Sequence, residues 1–351
     1  MRTALLLTML VSMIAGCSGS QGPTGPAGAD GRDGTNGTNG TNGMNGANGD
    51  AGATQFDELA LPGPAFYPES LHASADGTLY VGSLTTGSVV KFLPGDGKAT
   101  TFLAPGTVRG VAGVLVDEVT QSLLICAVDA TFMSAPTVKR FDLATGALEA
   151  TFDFPGASTP DGGVNPYVAF PNDLAFDSSH RLYVTDSFGG KIWTVADVSA
   201  NATFTQWVSD TSLAPAMANT FGADGITWDG TSNFYVNNNN TGAIVRVARN
   251  ADGSAGAVTA LTVTPTLAHP DGQRQLDANT LAIVDNDGRL VAVAISGAAA
   301  TVTPIANRLD APAGVVKVGN SYWVSEGQIT SSLLTGANAH LPFLVRRVTA
   351  Y

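Results

Sequence analysis

The stretch PNDLAFDSSHRLYVTDSFGGKIWTV, residues 171–195, holds three short apolar runs separated by polar turns. β-Branched and aromatic residues between Asp, Ser and Gly clusters mark short strands. The stretch opens on a polar pair, Asn172–Asp173, directly after Pro171. Taken alone the pair reads as turn chemistry, since Asn and Asp side chains bond their own backbone at strand entrances. The same unit returns five more times, and that repetition decides the fold.

Two units precede it: PESLHASADGTLYVGSLTTGSVVKF (68–92), and VAGVLVDEVTQSLLICAVD (111–129) continuing to PTVKRFDL (136–143). Three follow: ADGITWDGTSNFYVNNNNTGAIVRV (223–247), PDGQRQLDANTLAIVDNDGRLVAVAI (270–295) and PAGVVKVGNSYWVSE (312–326), the last with FLVRRVTAY (343–351) as its third strand. A fourth run follows each of the first five: ATTFLAP, ALEATFDFP, TFTQWVSD, AVTALTVTP and AATVTPIAN. Four strands repeated six times predict an all-β, six-bladed β-propeller over residues 54–351. The sixth unit lacks a fourth run of its own, and TQFDELALP (54–62) is expected to supply it. That pairing closes the ring and removes an open sheet edge. A β-sandwich of similar strand count is the competing architecture, and it does not explain a motif shared at six positions.

The first strand of each blade lines the channel of a propeller, so equivalent positions form a ring. Alignment puts Glu69, Ala112, Asn172, Asp224, Asp271 and Ala313 at one register. The residues after them are Ser70, Gly113, Asp173, Gly225, Gly272 and Gly314, small residues suited to a crowded entrance. Three carboxylates and an amide converging on one mouth repel one another. They must take up protons or share a cation. All-oxygen donors suit a divalent cation such as calcium or magnesium, and no Cys or His cluster is offered for zinc.

Around residue 54 the character of the chain changes. Upstream, glycine falls at every third position from Gly19 to Gly52, the period of a collagen triple helix. Only Pro23 and Pro26 stiffen this tract, so a flexible polar spacer is the alternative. If it forms a triple helix, the protein is a homotrimer. The chain opens MRTALLLTMLVSMIAGC: Arg2, an apolar stretch too short to span a bilayer, then Ala15–Gly16 before Cys17. Residues 1–16 therefore read as a signal peptide, and IAGC resembles a bacterial lipobox with Cys17 as the lipidated residue. An ordinary cleavage near Ala15–Gly16 is the alternative. Residues 17–53 become a stalk on a lipid-anchored envelope protein, and Ser18 favours the outer membrane.

The remaining thiol, Cys126, cannot form an internal disulfide and reads as a buried small hydrophobe. Net charge is −12 with charged residues at 13 %, which argues against nucleic acid as a partner. Hydrophobic residues make up 44 %, which argues against disorder.

The segments PES, PNDLAFD, ADGITWD and PDG resemble those of the gluconolactonase and senescence-marker-protein (regucalcin) family of six-bladed propellers. That fold is related to paraoxonase and strictosidine synthase. The resemblance implies one divalent cation, calcium by preference, in the channel. It implies Glu69, Asn172 and Asp271 among the ligands, and Asp271 as the catalytic base in hydrolysis of a lactone or related ester. Asp224 stands where that family commonly has Asn, and Ser70 replaces the usual Gly. His269 is a weaker candidate base. His180, in the turn DSSHRL, is expected at the surface. A displayed binding head without catalysis, gripping an envelope ligand, is the rival function. The insert 153–170 is expected to cover one mouth, and NNNN (237–240) to lie either beside the channel site or away from it.

Overall fold

The computed structural model describes residues 57–349, apart from 133, 157–162, 164–167, 200 and 201. The signal segment, Cys17, the Gly-X-Y tract and most of the 153–170 insert lie outside the described residues.

Six sheets, antiparallel apart from one short edge strand, follow one another along the chain. Blade 1 is β2 (Pro68–Ala73), β3 (Leu79–Ser83), β4 (Val89–Phe92) and β5 (Thr100–Leu103). Blade 2 is β6 (Gly110–Asp117), β7 (Ser122–Val128), β8 (Thr137–Asp142) and β9 (Leu148–Asp153). Blade 3 is β10 (Pro171–Phe176), β11 (Leu182–Asp186), β12 (Lys191–Val195) and β13 (Thr205–Ser209). Blade 4 is β14 (Ala223–Trp228), β15 (Asn233–Asn238), β16 (Ile244–Arg249) and β17 (Ala255–Ala260). Blade 5 is β19 (Pro270–Asp277), β20 (Thr280–Asp285), β21 (Arg289–Ser296) and β22 (Ala299–Ala306). Blade 6 is β23 (Pro312–Val318), β24 (Ser321–Glu326) and β25 (Leu344–Thr349), closed by the N-terminal β1 (Glu58–Ala60).

The closure is the one expected. β1 lies antiparallel to β25 with Leu59 opposite Val345. Arg346 bonds Glu58 at 2.5 Å on β1 and Glu326 at 2.9 Å on β24, and Arg347 bonds Asp57 at 2.5 Å. The first strands meet in a closed ring, β2–β6–β10–β14–β19–β23 and back to β2. Aliphatic side chains such as Val81, Leu123, Val184, Val236, Ile283 and Val324 are fully buried and fill the space between blades. Burial of this kind is worth about 25 cal/mol per Å² and is the main term holding the blades together.

One run divides differently from its sequence pattern. AVTALTVTP reads as a single fourth strand, but the chain changes sheets at Leu261. The Leu261 N–H still bonds Ile244 in blade 4, while the Thr262 N–H bonds Ala298 in blade 5. The three residues that follow, β18 (Thr262–Thr264), run parallel to β22 as a fifth strand of blade 5.

Candidate channel-mouth site

The polar pair is neither a turn nor a plain strand residue. In every blade the first strand slips register at this point: between Pro68 and Leu71, Val111 and Val114, Pro171 and Leu174, Ala223 and Ile226, Pro270 and Gln273, and Pro312 and Gly314. Each slip is a β-bulge, which lifts residues out of the ladder and re-aims their side chains. Six bulges aimed at one axis explain how Glu69, Asn172, Asp224 and Asp271 all become buried at one end of the channel.

The second bulge residue is small because the next blade is close. A Cβ on Gly113 would lie 2.2 Å from the Asn172 carbonyl oxygen; on Gly225, 2.6 Å from that of Asp271; on Gly272, 2.6 Å from that of Ala313; on Gly314, 3.0 Å from that of Glu69. The second strands complete the weave. Thr185 Oγ1 donates to the Asp224 carbonyl at 2.7 Å, Asn237 Nδ2 to that of Asp271 at 2.5 Å, and Ser325 Oγ to that of Glu69 at 3.2 Å. Neighbouring blades thus fix the backbone that carries each polar side chain.

The site carboxyls differ sharply from other buried acids of the same blades. Asp186 and Asp285 each take two backbone N–H groups and a third donor, Trp193 or Arg289. Glu326 takes the Asp310 N–H and Arg346. These acids clamp loops. Asp224, by contrast, receives only Asn172 Nδ2 at 3.0 Å among the described residues, and its Oδ1 is buried with no donor among them. Asp271 receives Asn286 Nδ2 at 3.2 Å and, beside it, the Gly272 N–H. The Glu69 carboxyl has no hydrogen bond among the described residues. The Asn172 amide gives its second proton to Ser187 Oγ at 3.1 Å, which leaves its Oδ1 as an acceptor.

Burial pushes the Asp224 carboxyl up to about 8, helped by the nearby Asp173 charge. Burial, then Asp224 and Glu69, push Asp271 well above the usual carboxylate range. Burial, then Asp224 and Asp173, do the same to Glu69. Asp224 and Asp271 face each other, and two carboxylates have no proton to share. One must therefore be protonated, or a cation must lie between them.

Asp173 plays a different part from its neighbour. Its Oδ1 accepts the Leu174 N–H at 2.9 Å, and its Oδ2 accepts the Ile226 N–H at 3.2 Å and Arg274 Nη1 at 2.9 Å. Arg274, on β19, also reaches the Leu71 carbonyl of blade 1 at 3.3 Å. One guanidinium therefore spans blades 5, 3 and 1 across the channel and holds Asp173 in an ion pair. Sequence reasoning missed Arg274. Its signal was an arginine at the position where the other first strands carry His72, Leu115, Ala175, Thr227 and Val316. It also missed Asn286. NNNN proves to flank the site: Asn237 bonds Asp271 and Gln273, and Asn239 Nδ2 donates to the Pro270 carbonyl at 3.1 Å.

The histidines lie outside the carboxyl set. His269 is exposed and its Nδ1 is 3.2 Å from the Asn239 carbonyl. His72 is held neutral, its basicity lowered to about 3 by burial and by Arg274, and Nδ1 accepts the Val116 N–H. His180 lies in a surface turn, partly exposed, where its ring stacks on Phe176 at 4.3 Å and Nε2 lies 2.8 Å from Asp117. Cys126 is buried opposite the blade 2 bulge, and burial pushes its thiol well up, as suits an inert core residue.

The donors fit a hard divalent cation by kind: carboxylate and amide oxygens, with the buried Asp224 Oδ1 and Asn286 Oδ1 lacking donors. Among the described residues no three His, Cys, Asp or Glu side chains are drawn together closely enough to hold an ion. Binding would require the carboxyls to close in.

No protein-family model matches the chain, and no curated protein matches it by sequence. Solved structures do match. A calcium-binding regucalcin from Agrobacterium tumefaciens aligns with TM-score 0.54 at 15 % identity, over 84 % of this chain and 95 % of that one. Virginiamycin B lyase from Staphylococcus aureus aligns with TM-score 0.53 at 16 % identity, over 77 % and 80 %. A chain of a nidogen–laminin complex aligns with TM-score 0.52 at 18 % identity, over 71 % and 85 %. At these identities the likeness is one of fold, and this chain is a six-bladed β-propeller with a regucalcin-like fold.

Proposed function

We propose that the protein is a lipid-anchored envelope protein whose propeller holds a divalent cation, calcium by preference, at its channel mouth and hydrolyses a lactone or related ester there. The observation that carries the reading is the contrast between buried acids. Asp186, Asp285 and Glu326 are saturated with donors, whereas Glu69, Asp224 and Asp271 are buried with almost none. Natural proteins seldom leave buried carboxyls in that state without a ligand. The calcium binding of the regucalcin neighbour supports the choice of ion.

Glu69, Asn172, Asp224 and Asp271 would hold the ion, which supplies Lewis-acid polarisation of the ester carbonyl. Asp271 takes a proton from water as the water oxygen bonds to the carbonyl carbon. The acyl–oxygen bond breaks, and the same proton passes to the leaving alkoxide. Asn286 Nδ2 on Asp271 Oδ2 leaves the other Asp271 oxygen for that transfer. Asn172 orients Asp224, and Arg274 keeps Asp173 out of the set.

The test is a lactone panel assayed with calcium, manganese or zinc on the full-length protein in mild detergent. Hydrolysis that disappears in Asp271→Ala is expected. No hydrolysis with any ion overturns the catalytic reading. A second reading, a displayed binding head with the cation as a structural plug, is favoured by the nidogen–laminin neighbour.

A further inference from the structure

The loops at the ligand-bearing end of the channel carry an unusual run of phenyl rings. Phe170 and Phe188 from blade 3 lie 5.3 Å apart, and Phe221 before blade 4 is 5.1 Å from both. Phe132, after β7 of blade 2, is 5.6 Å from Phe188 and 6.3 Å from Phe170. These rings stand beyond the strand ends and cap the apolar cluster shared by blades 2 and 3. Phe132, Phe188 and Phe221 keep part of their surface open.

Chain geometry ties the rings to the polar set. Phe170 is two residues before Asn172, and Phe221 three before Asp224. Phe188 follows Ser187, whose hydroxyl accepts from Asn172. From the opposite side of the ring come Tyr67, two residues before Glu69, and Leu333 of the β24–β25 connection. Both pack on the same apolar cluster, and Tyr67 Oη lies 3.3 Å from Ser332 Oγ. Apolar side chains from blades 1, 2, 3, 4 and 6 therefore gather at the end where the carboxyls are buried.

We propose that this aromatic rim is the substrate's second subsite, and that the site takes an ester or lactone carrying an apolar acyl chain or ring rather than a polyhydroxylated one. The inference rests on the ester-hydrolysis reading of the same site. A carbonyl seated at the polar set places the rest of a small substrate against Phe188 and Phe221. Hydroxyl groups there would leave water for phenyl faces that offer them no partner. Methylenes or an aryl ring would instead exchange water for close-packed carbon.

The experiment compares γ-decalactone with glucono-δ-lactone on the calcium-loaded full-length protein, wild type and Phe188→Ala or Phe221→Ala. We expect kcat/KM at least tenfold higher for γ-decalactone. Each variant should lower that ratio at least tenfold, through KM, with unchanged calcium affinity. Equal or better turnover of glucono-δ-lactone, or a ratio untouched by the substitutions, overturns the inference. If neither lactone is hydrolysed, the ester reading has failed, and ligand-observed NMR of γ-decalactone decides the rim separately. Binding weakened in a folded Phe188→Gln variant, which keeps side-chain length but turns the apolar face polar, upholds the apolar subsite; no binding by the wild type, or binding unchanged in that variant, overturns it.

Discussion

At the residue scale the protein sorts its buried acids by their donors. Asp173 and Asn172 are adjacent, yet Asp173 is tied by two backbone N–H groups and Arg274 while Asn172 turns to Asp224. Truncating one member of a buried ion pair leaves the other charge unpaired, at about 3–5 kcal/mol. Arg274→Met should therefore lower unfolding free energy by an amount of that order in urea titration, and a loss under about 1 kcal/mol would contradict the clasp. The site acids make an opposite kind of prediction. Burial pushes the Asp224 carboxyl up to about 8, and Glu69 and Asp271 are also raised, so the metal-free folded state retains protons that the unfolded chain has released. Stability of the metal-free protein should then fall as pH rises from about 4 towards 8, because fewer protons are bound in the unfolded state. Calcium should restore it most at the alkaline end, where binding displaces fewer protons. A melting temperature that rises from pH 5 to pH 8 without metal would contradict this assignment.

At the scale of strands and blades, repetition made the fold readable. A small or polar pair at six entrances located all six first strands, and TQFDELALP was recognisable as the missing strand because the sixth unit lacked one. The bulges were not readable, since a register slip leaves no mark on a pattern of apolar and polar residues. The sheet change at Leu261 was hidden in the same way, because both halves of AVTALTVTP have strand composition. Arg274 and Asn286 were missed because their partners lie on other blades; sequence spacing does not reveal a contact across a channel. The bulge makes its own prediction. The Cβ of Gly225→Ala would lie 2.6 Å from the Asp271 carbonyl oxygen, so the strand carrying Asp271 must move. We expect lower stability and weaker calcium binding together, read by thermal melts and calorimetry. Native-like values for both would contradict the close-approach account.

At the scale of the whole molecule, closure holds the ring. β1 adds one short strand, but it joins the two ends of the domain through Leu59, Glu58 and Asp57. Removing residues 54–62 opens an edge and exposes Leu344–Thr349 to intermolecular pairing. Such a protein should melt at least about 5 °C lower, a shift of more than 1 kcal/mol in a domain of this size, and aggregate on heating. An unchanged melting curve would show that the ring does not depend on this strand.

The proposed role of the sparsely bonded acids at the mouth is to hold a cation. Calorimetric titration of calcium into chelator-treated full-length protein at pH 7.5 decides it. We expect one ion per propeller, with binding abolished in a folded Glu69→Gln, Asp271→Asn variant. No binding by the wild type, or undiminished binding by the variant, would contradict it.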